Sequence, residues 1–80
     1  MTDDALKKIF SEVFEIPVEK VTPETTIQNV EKWDSLTHLH LVMRIESEAG
    51  VKFRSTEVPG LTSFTAVAAA VRKAAGRKPG

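Results

Sequence analysis

The residues of this chain with chemistry to offer meet at one junction, Trp33-Asp34-Ser35-Leu36, where a long irregular segment runs into the strongest helical pattern in the sequence. A serine hydroxyl at such a point can act as a nucleophile or accept a transferred group. Asp and Ser at a helix start also do something plainer, capping free backbone N–H groups. His38 follows Ser35 by three residues, a spacing at which a serine and a histidine could form a hydrolytic pair. The sequence offers no third group to orient the imidazole, and so short a chain builds no deep pocket, so hydrolysis is set aside. His38 and His40 are two residues apart, about 160° around a helix, and cannot chelate one metal ion. No catalytic residue and no metal site is expected.

Composition narrows the classes further. Eighty residues make one small domain with a thin core. With no cysteine there is neither a disulfide framework nor a thiolate, so any thiol chemistry has to be imported. Eleven basic residues balance eleven acidic ones, which argues against nucleic acid and anionic membrane as partners. The acids Asp3, Asp4, Glu12, Glu15, Glu19, Glu24 and Glu31 weight the first half, whereas Arg72, Lys73, Arg77 and Lys78 crowd the end, where cations suit a helix dipole. No stretch approaches the ~20 apolar residues of a membrane span, and no apolar run follows the acidic opening as a secretory signal would require. A cytoplasmic, free-standing monomer is expected.

The elements that must position the junction follow from periodicity. Leu6, Ile9, Phe10, Val13 and Phe14 fall on one helical stripe, with Asp3 and Asp4 placed to cap its start and Pro17 to stop it near Ile16. From there to Trp33 the pattern fails. Thr22, Pro23, Thr25, Thr26 and Asn29 supply turn chemistry, and Val18, Val21, Ile27, Val30 and a half-buried Trp33 are expected to pin the segment to the core. After Gly50, a helix stop, Phe53 and Val58 should anchor a weakly structured segment, in which Pro59 and Gly60 leave room for about one turn. A last helix, capped by Thr62 or Ser63, should bury Phe64, Val67, Val71 and Ala74 and fray from Gly76 to Gly80.

The helix from Ser35 to Ala49 carries two stripes at ~100° per residue. His38, Val42, Ile45 and Ala49, flanked by Leu39 and Leu41, form the expected core face, with His38 a satisfied, partly buried imidazole. Leu36, His40, Met43 and Ser47, bordered by Thr37 and Arg44, form a second stripe. Apolar residues on a solvent-facing stripe mark a docking surface, and methionine adapts to several partners in turn. Leu36, Thr37, His40, Met43, Arg44, Glu46 and Ser47 are therefore the candidate docking residues.

The tripeptide Asp34-Ser35-Leu36, with the order and lengths of elements from about Leu6 to Val71, resembles the acyl carrier protein family. The resemblance implies an all-α fold, a small four-helix bundle with a long ordered loop between helices 1 and 2 and a short, weak third helix. It implies a carrier domain over residues 1–75 and a disordered tail over 76–80. It also implies that Ser35 receives a 4'-phosphopantetheine arm from coenzyme A, with Asp34 and Leu36 as recognition flanks. A phosphopantetheinyl transferase and acyl-loading and acyl-processing enzymes would be the partners, and the arm's thiol would hold acyl groups as thioesters. Fatty-acid carriers of the family are strongly acidic along the helix after the serine. Here Thr37, His40, Arg44 and Ser47 stand in that helix and net charge is zero, which points to a dedicated secondary-metabolite or polyketide-like pathway. An amino-acyl or aryl carrier of nonribosomal peptide synthesis is the alternative, although Trp33 stands where those modules have Gly. From another class, the alternative is an unmodified helical adaptor.

Overall fold

In the structure, a computed structural model that describes residues 1–76, three α-helices carry the fold: α1 (Asp3–Phe14), α2 (Ser35–Ala49) and α3 (Phe64–Gly76). The expected all-α class is found. The four-helix count is not, because the element expected to be short and weak is a single 3-10 turn, Val58–Gly60, the one turn for which Pro59 and Gly60 leave room. Pro59 within that turn has no N–H to donate to a further helical bond, which keeps it to one turn.

α1 begins one residue earlier than its acidic pair suggested. Thr2 is the cap, its hydroxyl accepting from the Ala5 N–H at 3.1 Å, and Asp3 and Asp4 occupy the first turn, where negative charge suits the dipole. The helix ends at Phe14 rather than near Ile16, because Glu15 takes the left-handed conformation (φ 56°) and its N–H returns to the Ser11 carbonyl. Leu6, Ile9, Phe10 and Phe14 are buried and Val13 partly so, which is the stripe read from the sequence.

The long segment between α1 and α2 is ordered by hydrogen bonds rather than by all its apolar residues. Val21 and Val30 are buried, whereas Val18 and Ile27, expected as anchors, are exposed. Thr25 is buried in their stead: its carbonyl accepts from the Phe64 N–H at 2.8 Å, while the Thr62 carbonyl accepts from the Ile27 N–H at 2.9 Å. Two ladder-type bonds thus tie the loop to the start of α3. The radius of gyration, 11.7 Å, matches the about 11.5 Å of a compact domain this long, so the loop lies on the bundle.

The core is completed by Leu41, Val42 and Ile45 of α2, by Val51, Phe53 and Leu61 of the connecting segment, and by Phe64, Val67, Ala68, Val71 and Ala74 of α3. Phe10 lies at its centre, edge-on to Phe14, Trp33 and Phe64 with centroids 5.2–5.7 Å apart. α2 closes on Gly50 (φ 66°). α3 is started by Ser63, whose hydroxyl accepts from the Ala66 N–H at 3.0 Å. It runs through Gly76, so that residue ends a helix instead of opening a tail; residues 77–80 of the expected tail lie outside the described residues.

Candidate functional site

The start of α2 is held by its own first turn. Asp34 is extended (φ −119°, ψ −171°), and its Oδ1 accepts from the N–H groups of Leu36 and Thr37, each at 3.0 Å. Thr37 reciprocates: its hydroxyl accepts from the Asp34 N–H at 2.8 Å and donates to the Lys32 carbonyl at 2.6 Å. This is a capping box with threonine in the place usually taken by Glu or Gln. The hydrogen bonds, that from the Thr37 N–H first, hold the Asp34 carboxyl below its usual 3.8 against a smaller opposing effect of desolvation.

Ser35 is consequently the first helical residue and not the cap. It is exposed, and its hydroxyl has no hydrogen-bond partner among the described residues. It stands at the positive end of the α2 dipole, where a phosphate is favoured over an apolar group.

Behind this turn lies Trp33, only 4% exposed and so more deeply set than the half-buried plug expected. Its ring stacks on Phe14 (centroids 4.7 Å, planes 29° apart) and its indole N–H donates to His38 Nδ1 at 2.9 Å. His38 Nε2 reaches the Val58 carbonyl at 2.8 Å. His38 is thus the satisfied, partly buried imidazole the sequence suggested, though its partners were not readable there. Lys32, one residue before Trp33, pairs with Glu15 at 3.0 Å across the end of α1.

The outer face of α2 holds Leu36 (63% exposed), Met43 (65%) and Leu39 (53%). Leu39 was expected to flank the core; it lies outward instead, 53% exposed, about 60° from Leu36 at 100° per residue and about 60° beyond the Val42 edge of the arc of Leu41, Val42 and Ile45. The signal was present, since Leu36, Leu39 and Met43 are spaced i, i+3, i+7. His40 and Ser47 are exposed on the same side. The other candidate docking residues are engaged within the chain. Thr37 closes the cap; Arg44 pairs with both Glu48 and Glu12 of α1; and Glu46 accepts from the Phe53 N–H at 2.9 Å. Arg44 is held fully protonated by Glu48 first and Glu12 second.

With this geometry, the comparisons are specific. Residues 4–71 match the family described as "Phosphopantetheine attachment site". The fold is similar to the solution structure of a holo acyl carrier protein from Geobacter metallireducens, with a TM-score of 0.80 and 34% identity over 91% of this chain and 84% of that one. Among curated proteins no significant match is found. The chain belongs to the phosphopantetheine-binding carrier family, as an acyl-carrier-protein-like member. It is a carrier and not an enzyme, and its prosthetic group is a covalently attached 4'-phosphopantetheine.

Proposed function

We propose that Ser35 bears the phosphopantetheine arm and that this carrier serves a dedicated acyl pathway, polyketide-like or lipid-like, rather than bulk fatty-acid synthesis. One observation supports the attachment reading above the rest: Asp34 takes over the capping of α2, which leaves the Ser35 hydroxyl exposed and unpartnered among the described residues. A hydroxyl committed to a capping bond would have to break it before reacting. The residues present fit the group, since a phosphodiester on Ser35 would sit at the positive end of a helix, beside a carboxylate whose Oδ1 already accepts from two backbone amides. When bound, the arm supplies a thiol that holds acyl groups as thioesters, the thiol chemistry this cysteine-free chain lacks.

Partner docking is assigned to α2, through Leu36, Met43, His40 and Ser47, with Thr37, Arg44 and Glu46 shaping its edges. The dedicated-pathway reading is supported by charge. No acid stands in the first turn of α2, and the one base on its face is neutralised within the chain. A phosphopantetheinyl transferase and the acyl-loading and acyl-processing enzymes of that pathway are the partners this reading calls for.

The test is intact mass. Incubated with coenzyme A and a broad-range transferase, the unaltered protein gains one phosphopantetheine, whereas Ser35→Ala folds normally and gains nothing. Loading of the alanine variant would remove Ser35 from the assignment. Failure of the unaltered protein to load would favour an unmodified adaptor.

A further inference from the structure

The His38 ring joins the start of α2 to two other parts of the molecule. The residue belongs to the first turns of α2, three residues after Ser35, and its backbone N–H makes a helical bond to the Asp34 carbonyl at 2.8 Å. One ring nitrogen is bonded to the buried indole of Trp33, which is itself packed on Phe14 and Phe10 of α1. The other is bonded to the carbonyl of Val58, the first residue of the 3-10 turn Val58–Gly60. The planes of the indole and the imidazole are 26° apart, an arrangement compatible with an N–H···N bond lying close to both planes.

The partners dictate the tautomer. An indole nitrogen only donates, so Nδ1 accepts and carries no proton; a carbonyl only accepts, so Nε2 carries the proton and donates. One neutral form of the ring makes both bonds. Of the charged groups on the adjoining segments, Lys32 pairs with Glu15, the Asp34 carboxylate accepts from the Leu36 and Thr37 amides, and Glu57 accepts from the Arg54 amide.

We infer that His38 is a positioning residue for the carrier's modification: the Trp33–His38–Val58 relay fastens the helix turn that presents Ser35 to the aromatic core on one side and to the 58–60 turn on the other. This rests on Ser35 being the attachment residue. The relay does not touch the Ser35 hydroxyl, so it acts on how much of the time the surface around Ser35 is correctly assembled for a transferase. A surface competent only a fraction of the time binds more weakly by that fraction, and the bound complex then reacts as before. Loss of the relay should therefore raise KM and spare kcat.

The experiment uses the full chain as unaltered protein, His38→Leu and His38→Gln. Leucine removes both polar contacts; glutamine keeps an acceptor and a donor about as far apart as the two ring nitrogens. The sole tryptophan gives one indole N–H resonance, and nitrogen-15 spectra report the histidine tautomer, with exposed His40 as an internal control. In the unaltered protein His38 is expected in the Nε2–H form with a slowly exchanging indole proton. In His38→Leu that proton should exchange at least about tenfold faster. KM for loading by the transferase should rise about fivefold while kcat changes less than about twofold, with recovery in His38→Gln. An Nδ1–H tautomer in the unaltered protein would overturn the inference, as would an unchanged KM in a folded His38→Leu whose indole proton has been freed. If His38→Leu does not fold, His38→Gln decides: a lost indole bond with unaltered KM overturns the inference, and retained bond and KM support it. If the unaltered protein is not loaded at all, the attachment reading fails and the positioning role fails with it, while the tautomer still reports whether the relay exists.

Discussion

Asp34 and Ser35 divide between them two roles that a single capping serine would have to combine. The aspartate satisfies the amides of Leu36 and Thr37, and the serine keeps its hydroxyl exposed. Because the Asp34 carboxyl is held below 3.8 in the folded protein, its charge contributes stability above that value, lost as pH falls through the folded value. Asp34→Asn keeps an acceptor for both amides and removes the titration. The melting temperature of the unaltered protein should exceed that of Asp34→Asn at neutral pH, and the difference should shrink as pH falls below the ordinary carboxylate range, other carboxylates affecting both alike. A difference that persists undiminished in acid would mean that the charge is not what strengthens the cap. Asp34 and Ser35 were legible in the sequence because capping is a local affair of adjacent residues. His38 was legible only as a partly buried imidazole, since Val58 lies twenty residues away and no local rule reports such a contact.

At the scale of elements, periodicity located all three helices, and the departures have physical causes that periodicity does not contain. α1 stops two residues before Ile16 because Glu15 turns left-handed. Val18 and Ile27 are exposed because the loop is fastened by the backbone of Thr25 and Ile27 to that of Phe64 and Thr62. Leu39 faces outward because the core needs only the arc from Leu41 to Val42, and a leucine on either flank looks alike from sequence. The two helix ends differ in a way that can be measured. Gly50 (φ 66°) has open space where a Cβ would go, so Gly50→Ala meets no clash and should cost only the left-handed backbone penalty, about 1 kcal/mol in a denaturant titration. A loss of several kcal/mol would point to a packing role for that corner instead. Glu15 already carries the same kind of strain at the end of α1, in a residue that also pairs with Lys32 beside the site.

The whole molecule presents an unusual combination: one small bundle with net charge zero, a helix face bearing three exposed apolar side chains, and beside that face an arginine paired with two glutamates. Arg44, the base expected on that face, reaches across to Glu12 of α1 as well as along α2 to Glu48, which offers an incoming enzyme little net charge. Electrostatic steering of encounter needs uncompensated charge and fades within a Debye length of about 8 Å at physiological salt. Binding of the loaded carrier to its cognate enzymes should then rest on Leu36, Leu39 and Met43 and vary little between about 50 and 500 mM salt. Met43→Glu separates docking from folding: an exposed substitution should move stability by no more than about 0.5 kcal/mol, yet it places a charge where an apolar contact is needed and should weaken binding at least about tenfold. A large fall in melting temperature would make Met43 part of the core instead. A steep loss of affinity with salt toward a fatty-acid ketosynthase, with tight binding at the low end, would return this carrier to primary lipid synthesis, because only a charged interface responds that way.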